Sequence, residues 1–199
     1  YTPVVAVSDI HYINQLSDEN DLQICLYRPA TISGASLAIK IFQAKAPIAL
    51  ADAMHILENM NLKVITENSY NIRHHQGFNV CISDFEMLYV GNQEIDINHL
   101  GAVFQESFEK IWHGEAESDK FNSMILEANL SWFQVSMIRA YARYLRQIGF
   151  KLSEGYIQES LSCHTDLVRL LVQLFEARFN PECIDVYKDK VSSIQSDII

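Results

Sequence analysis

Leu37-Ala38-Ile39-Lys40-Ile41-Phe42 is an apolar, β-branched run, and Leu50, Ala53, Met54, Leu57 and Met60 follow it at spacings of three and four. After them come Leu62-Lys63-Val64-Ile65-Thr66, Tyr70-Asn71-Ile72-Arg73 and Phe78-Asn79-Val80-Cys81-Ile82-Ser83-Asp84-Phe85. Residues 37–85 therefore switch between strand-like runs and a helical period. Pro47 precedes the helical stripe, and Asn61, which tolerates the left-handed conformation, closes it. Asn68-Ser69 marks an expected break in the next strand, and Gly77 turns the chain into the one after. Working toward the N-terminus, Leu22-Gln23-Ile24-Cys25-Leu26-Tyr27 alternates and stops at Arg28-Pro29, where proline cannot continue a ladder. Toward the C-terminus, Leu100, Val103, Phe104, Phe108, Ile111 and Trp112 share one side of a second helix that Gly114 can end. From residue 37 the order is strand, helix, strand, strand, helix. With the strand at 22–28 added, the α+β reading is a ferredoxin-like split-βαβ sandwich, with helices on one face of an antiparallel sheet.

The second half shows no strand pattern. Ser131-x-x-Gln134 is a capping box opening a helix that runs to Gly149. Ser153 caps another near Glu154. Leu167, Leu170, Leu171, Leu174 and Phe175 form a stripe that stops before Pro181. The expected division is an α+β domain with an N-terminal extension over 1–115 and an all-helical subdomain over 116–199.

The chain has 199 residues, 49% apolar and 20% charged, with a formal net charge of −10. That length can bury a core without metals or disulfides. Residues 1–115 hold 14 acids and 6 bases, while 116–199 hold 11 and 9. An acidic balance disfavours nucleic acid, whose backbone needs clustered Lys and Arg. No apolar run approaches the roughly 18 residues of a membrane span. Cys25, Cys81, Cys163 and Cys183 contain no CxxC pair, and they read as reduced thiols of a cytoplasmic protein. A start at Tyr1-Thr2-Pro3 and a stop on Asp197-Ile198-Ile199 read as the ends of an excised piece.

Catalytic chemistry is hard to find. The seven glycines form neither GxGxxG nor a phosphate-cradling loop, so no cofactor-binding residue is assigned. His74-His75 is the only histidine doublet. Adjacent strand residues face opposite ways, so the pair reads as a solvated turn, and no metal site is assigned. Glu115-Ala116-Glu117-Ser118-Asp119 reads as a solvated linker with helix-starting acids. Arg139, Arg143 and Arg146 recur at i, i+4 and i+7. They are candidate inter-domain contacts, either a face for an acidic partner or ion-pair partners of neighbouring helices.

Several longer motifs resemble one family. Pro47-Ile48-Ala49-Leu50-Ala51-Asp52, continuing through Ile56 to Tyr70, is similar to a segment of the large NAD-specific glutamate dehydrogenases of bacteria. So are Glu115 to Asn122, Leu145-Arg146-Gln147-Ile148-Gly149, Leu174 to Pro181, and Arg139-Ala140-Tyr141-Ala142-Arg143-Tyr144. The likeness runs in order over roughly residues 20–185.

The resemblance implies an ACT-type regulatory module followed by the first helical segment leading to an absent catalytic core. It implies a parent oxidoreductase that converts L-glutamate, water and NAD to 2-oxoglutarate, ammonia and NADH. No catalytic residue is carried over, and NAD belongs to the parent rather than to these residues. Implied partners are the remainder of the parent chain, a second copy in a homo-oligomer and an amino-acid effector. The effector or interface loop would be Ala46, Pro47, Ile48, Ala49, Leu50, Ala51 and Asp52. This loop lacks the glycine that effector-binding ACT modules use, Asn61 replaces the glycine after the helix, and Ser69 replaces a proline. The rival reading is a stand-alone protein-interaction scaffold using the Arg139/Arg143/Arg146 face. A glycine-rich Rossmann sequence beyond residue 199 would separate the two.

Overall fold

A computed structural model describes residues 3–17, 20–29, 37–91, 97–180, 191 and 194–196. Pro181, Cys183 and the last three residues lie outside the described residues. Four strands form one sheet: β1 (Leu22–Tyr27), β2 (Leu37–Ala44), β3 (Leu62–Arg73) and β4 (Asn79–Tyr89). Their spatial order is β1-β2-β4-β3, every neighbouring pair antiparallel. This is the split-βαβ arrangement read from the sequence, with the last strand of the usual order moved to the front. β2 and β3 run parallel with β4 between them, and β1 fills the outer place beside β2.

Helices α2 (Leu50–Asn59) and α3 (Ile97–Trp112) lie on one face. Leu22, Ile24 and Leu26 of β1 point to that face, as do Leu37, Ile39 and Ile41 of β2 and Phe85 and Met87 of β4. They meet Ala53, Ile56 and Leu57 of α2 and Leu100, Phe104, Phe108 and Ile111 of α3. The register explains the layering, since Ile39 faces Leu26 on one side and Phe85 on the other. β3 runs unbroken through Asn68-Ser69, and its irregularity falls instead at Ile65, between Val64 and Thr66. The extra residue at that bulge shifts the alternation of the strand by one.

The second face carries an element that periodicity did not show. The N-terminal stretch is helix α1 (Pro3–Asn14), which buries Asp9 and Ile13 and leaves Val4, Val7 and Ile10 exposed. Ile13 and Leu16 pack with Phe42, Ala44, Val80 and Ile82, and Tyr12 stacks on Phe42 at 5.3 Å. Lys40 is buried here, and its Nζ donates to both carboxylate oxygens of Asp9 at 2.8 and 3.1 Å. The Tyr27 ring lies 5.6 Å from that Nζ, and the Tyr27 hydroxyl donates to Asp84 at 2.6 Å. Burial pushes the Asp84 carboxyl up, the Tyr27 hydrogen bond opposing it. Burial raises the Tyr27 hydroxyl as well.

Breaking one half of a buried pair strands the other charge. At Asp9 the helix can lift and let water reach Lys40, which limits the damage. Asp9→Ala is therefore expected to cost about 1–2 kcal/mol and to free α1 for proteolysis. The double variant Asp9→Leu/Lys40→Met should return close to the parent stability. A double variant less stable than Asp9→Ala, measured by urea titration, would sink this account.

The second half is helical throughout its described part. After α3, Gly114 takes φ 73° and closes the helix, with Glu115 N–H donating to the Lys110 carbonyl at 2.9 Å. A 3-10 turn (Lys120–Asn122), α4 (Ser123–Glu127), α5 (Trp132–Gln147), α6 (Glu154–Cys163) and α7 (Thr165–Phe179) follow. The Ser131/Gln134 capping box is present with both of its hydrogen bonds. Gly149, at φ 89°, ends α5, and Phe150 N–H reaches back to the Leu145 carbonyl at 3.0 Å. Phe121, Met124, Ile125, Val135, Ile138 and Val168 belong to the same buried cluster as the sheet's helix face. One apolar core thus runs through both halves.

Candidate functional site

The junction between the sheet and the helical half is built from α2 outward. Asn61 follows α2 with φ 60°, holding the left-handed position expected of it, and its carbonyl accepts from Val90 N–H. That geometry aims the Asn61 amide at Glu127, whose Oε1 accepts from Nδ2 at 2.7 Å. Glu127 ends α4 and is buried. Its second oxygen accepts from Ser123 Oγ at 3.2 Å, and Ser123 Oγ also lies 3.2 Å from Ser162 Oγ on α6. Arg169 of α7 closes the end of α4 by donating to the carbonyls of Glu127 and Ala128, both at 3.1 Å. Asn59 adds a second link, its Nδ2 donating to Ser118 Oγ at 3.0 Å. A displacement of the α2 end thus has a hydrogen-bonded route to α6 and α7.

Arg139 is buried beside this junction. Its Nε donates to Asp119 Oδ2 at 2.6 Å, while Nη2 donates to Asp119 Oδ1 at 2.9 Å and to Asn122 Oδ1 at 2.8 Å. Asp119 also accepts from Phe121 N–H, capping the 3-10 turn. Arg143 holds both oxygens of Glu117 at 2.7 and 2.5 Å, and Arg146 holds Glu154 of α6 at 2.9 Å. The Arg143 guanidinium keeps the Glu117 carboxyl below the ordinary carboxylate range. Both partners there are well exposed, so the pair adds little stability. All three arginines are therefore engaged by carboxylates of their own chain. The Glu115–Asp119 linker is less solvated than its composition suggests, because Asp119 is tied down twice.

The loop residues Ala46, Pro47, Ala49, Leu50, Ala51 and Asp52 are exposed, and Ile48 is buried in the core. Lys45 supplies the positive φ, 74°, in this glycine-free loop. Ala49 gives α2 no side-chain cap. The loop borders neither of the cavities described below.

His74 departs from the solvated role expected of the doublet. It is buried, stacked on Phe78 at 4.4 Å, and its Nδ1 accepts from Gln76 N–H. Burial, then the neighbouring His75, hold its imidazole below the ordinary range. Among the described residues Cys25, Cys81 and Cys163 are free thiols, no cluster of His, Cys, Asp or Glu suits a metal, and no helix is long and apolar enough to cross a membrane. Among the cavities bordered by described residues are a polar one between the linker and α5, touching Glu117, Arg139 and Arg143, and an apolar one between α5, α6 and α7.

Two family models match, the ACT3 domain of glutamate dehydrogenase over residues 21–100 and helical motif 3 of glutamate dehydrogenase over residues 116–181. The chain belongs to the glutamate dehydrogenase family. It is 40% identical over 179 residues to an NAD-specific glutamate dehydrogenase of Pseudomonas aeruginosa, covering 90% of this chain and 11% of that protein. A Halomonas elongata NAD-specific glutamate dehydrogenase is 40% identical over 176 residues, and one from Mycobacterium tuberculosis is 32% identical over 185. The chain spans 11% of the length of these relatives. Each junction hydrogen bond, Asn59 to Ser118 and Asn61 to Glu127, takes one residue from the glutamate dehydrogenase ACT3 span and one from the helical-motif span. Neither Asn59 nor Glu127 stood out in the sequence. The available signal was Glu127 itself, a charge set inside the otherwise apolar run Met124-Ile125-Leu126-Glu127-Ala128.

Proposed function

We propose that this chain is a non-catalytic regulatory and assembly region of an NAD-dependent glutamate dehydrogenase. The parent enzyme converts L-glutamate, water and NAD to 2-oxoglutarate, ammonia and NADH. The residues here do not fit NAD, because the sequence has no GxGxxG run to cradle a pyrophosphate, and the cofactor belongs to the parent. The division into an α+β unit over 1–115 and a helical unit over 116–199 is part of the same reading. The protein works in the cytoplasm.

The observation that carries this reading is the Asn61–Glu127 bond over a shared core. An effector or neighbouring subunit that favours one position of α2 shifts α4, α6 and α7 with it. Such coupling needs only about 1–3 kcal/mol of differential binding. The effector site is the 46–52 loop, where the exposed start of α2 offers backbone N–H groups to a carboxylate. Assembly uses the edge of β3 that no other described strand pairs, exposed from Asn68 onward with Tyr70 and Ile72 on its surface. An unpaired strand edge is a ready template for another strand.

Titrating the full-length dehydrogenase with a panel of amino acids tests the effector version. At least one should release heat and raise the midpoint of thermal unfolding. Asp52→Lys with Ala49→Pro should abolish both signals. No heat and no thermal shift with any amino acid would leave a structural role alone.

A further inference from the structure

The helical half keeps an apolar concavity that the junction does not use. Tyr141 and Leu145 of α5, Leu161 of α6, and Leu174, Phe175 and Arg178 of α7 border a cavity of about 430 Å³. Ile148, 62% exposed, continues the α5 stripe one turn past Leu145, and Phe179, 60% exposed, continues the α7 wall past Phe175. Monomeric proteins rarely leave such a continuous apolar surface open unless something covers it.

Its shape and chemistry point to one kind of occupant. The α5 stripe from Tyr141 to Ile148 is two turns long, about 10 Å of helix. A small ligand would call for several convergent polar groups. Arg178 is the only charged side chain bordering the cavity, and no carboxylate among the described residues pairs with it. That contrasts with Arg139, Arg143 and Arg146, each holding a carboxylate on its own chain. An apolar stripe with one cation at its rim that no described carboxylate pairs suits a helix whose i, i+3/i+4 and i+7 side chains enter the groove and whose flank carries an acid. The relatives are about eight times as long as this chain. A tethered segment of the same polypeptide meets the groove at an effective concentration that a free partner cannot match.

We infer that the α5–α6–α7 groove is a docking site for an amphipathic helix of the parent polypeptide from outside these 199 residues, with an acidic residue opposite Arg178. The inference rests on the reading of this chain as part of a longer dehydrogenase.

The test places a photo-reactive benzoylphenylalanine at Leu145 and, separately, at Phe179 of the full-length enzyme. Isotopically light and heavy enzyme are mixed before irradiation, and adducts are read by mass spectrometry. The expected result is same-chain cross-links from both positions into one helix outside this segment. Arg178→Glu should lower their yield about tenfold, and reversing the opposing acid to Lys should restore it. Mixed light–heavy adducts, no protein adduct, or a bound small molecule would each overturn the inference. The mass of the purified enzyme separates this from the broader reading. A polypeptide no longer than this segment would defeat the dehydrogenase assignment before any cross-link is scored.

Discussion

Phe108→Ala is expected to destabilise the 199-residue chain by about 3–5 kcal/mol and to do so in both halves at once. Phe108 is fully buried on α3, ring to ring with Phe104 and Trp112 at 6.3 Å each. It belongs to the cluster that joins Ile24 and Leu26 of the sheet to Phe121, Val135 and Val168 of the helical half. Removing the ring leaves a void that neither side can collapse alone. With ordinary denaturant sensitivity, the urea midpoint should fall by on the order of 2 M. Tryptophan fluorescence follows Trp112 and Trp132 on the two sides of the linker, and far-ultraviolet dichroism follows the sheet and helices together. The signals should move as a single transition. Two separate transitions, only one of them shifted, would refute a shared core.

The second large effect is expected at Arg139. Arg139→Ala removes a buried guanidinium, leaving the buried Asn122 Oδ1 without that donor and Asp119 with only the Phe121 N–H. Breaking one side of such an arrangement costs about 3–5 kcal/mol. Arg139→Lys is the sharper test. A single ammonium cannot span both Asp119 oxygens and Asn122, and it loses the contact that the guanidinium makes over the Phe121 ring at 5.9 Å. The lysine variant should therefore recover only part of the loss, leaving about 2 kcal/mol. Hydrogen exchange should localise the damage to residues 115–123. Full rescue by lysine would mean that charge alone matters and that the fork geometry does not.

What the sequence disclosed follows from where each signal originates. The strands at 22–27, 37–44 and 79–89 carry alternation or apolar runs because the helix face of the sheet is buried along them, whereas at 62–73 only Leu62 is buried and the strand shows through its β-branched residues. Helices α2, α3 and α5 announce themselves through amphipathic spacing and through their Asn61, Gly114 and Gly149 terminators. α1 stayed hidden because its pattern is inverted, with Asp9 turned inward to Lys40 and Val4, Val7 and Ile10 outward. No periodicity rule finds a helix held by a buried ion pair. The arginine triplet and the carboxylate linker were both visible, whereas their pairing depends on the turn that folds residues 117–122 back along α5. His74 misled for a related reason: Phe78, four residues on, closes over its ring.

The strand moved to the front of the sheet order has a kinetic meaning. In the usual order the last strand must find the first after the rest of the module has been made. Here β1 pairs with its immediate successor, Tyr27 facing Ala38 and Leu22 facing Gln43. Shortening the loop to be closed several-fold lowers its entropic cost by about 1–2 kcal/mol. Every strand pairing is then available once residue 89 has been synthesised, with no partner awaited from downstream. The module can align its sheet early and leave its apolar face to be covered as α3 and the helices beyond it arrive.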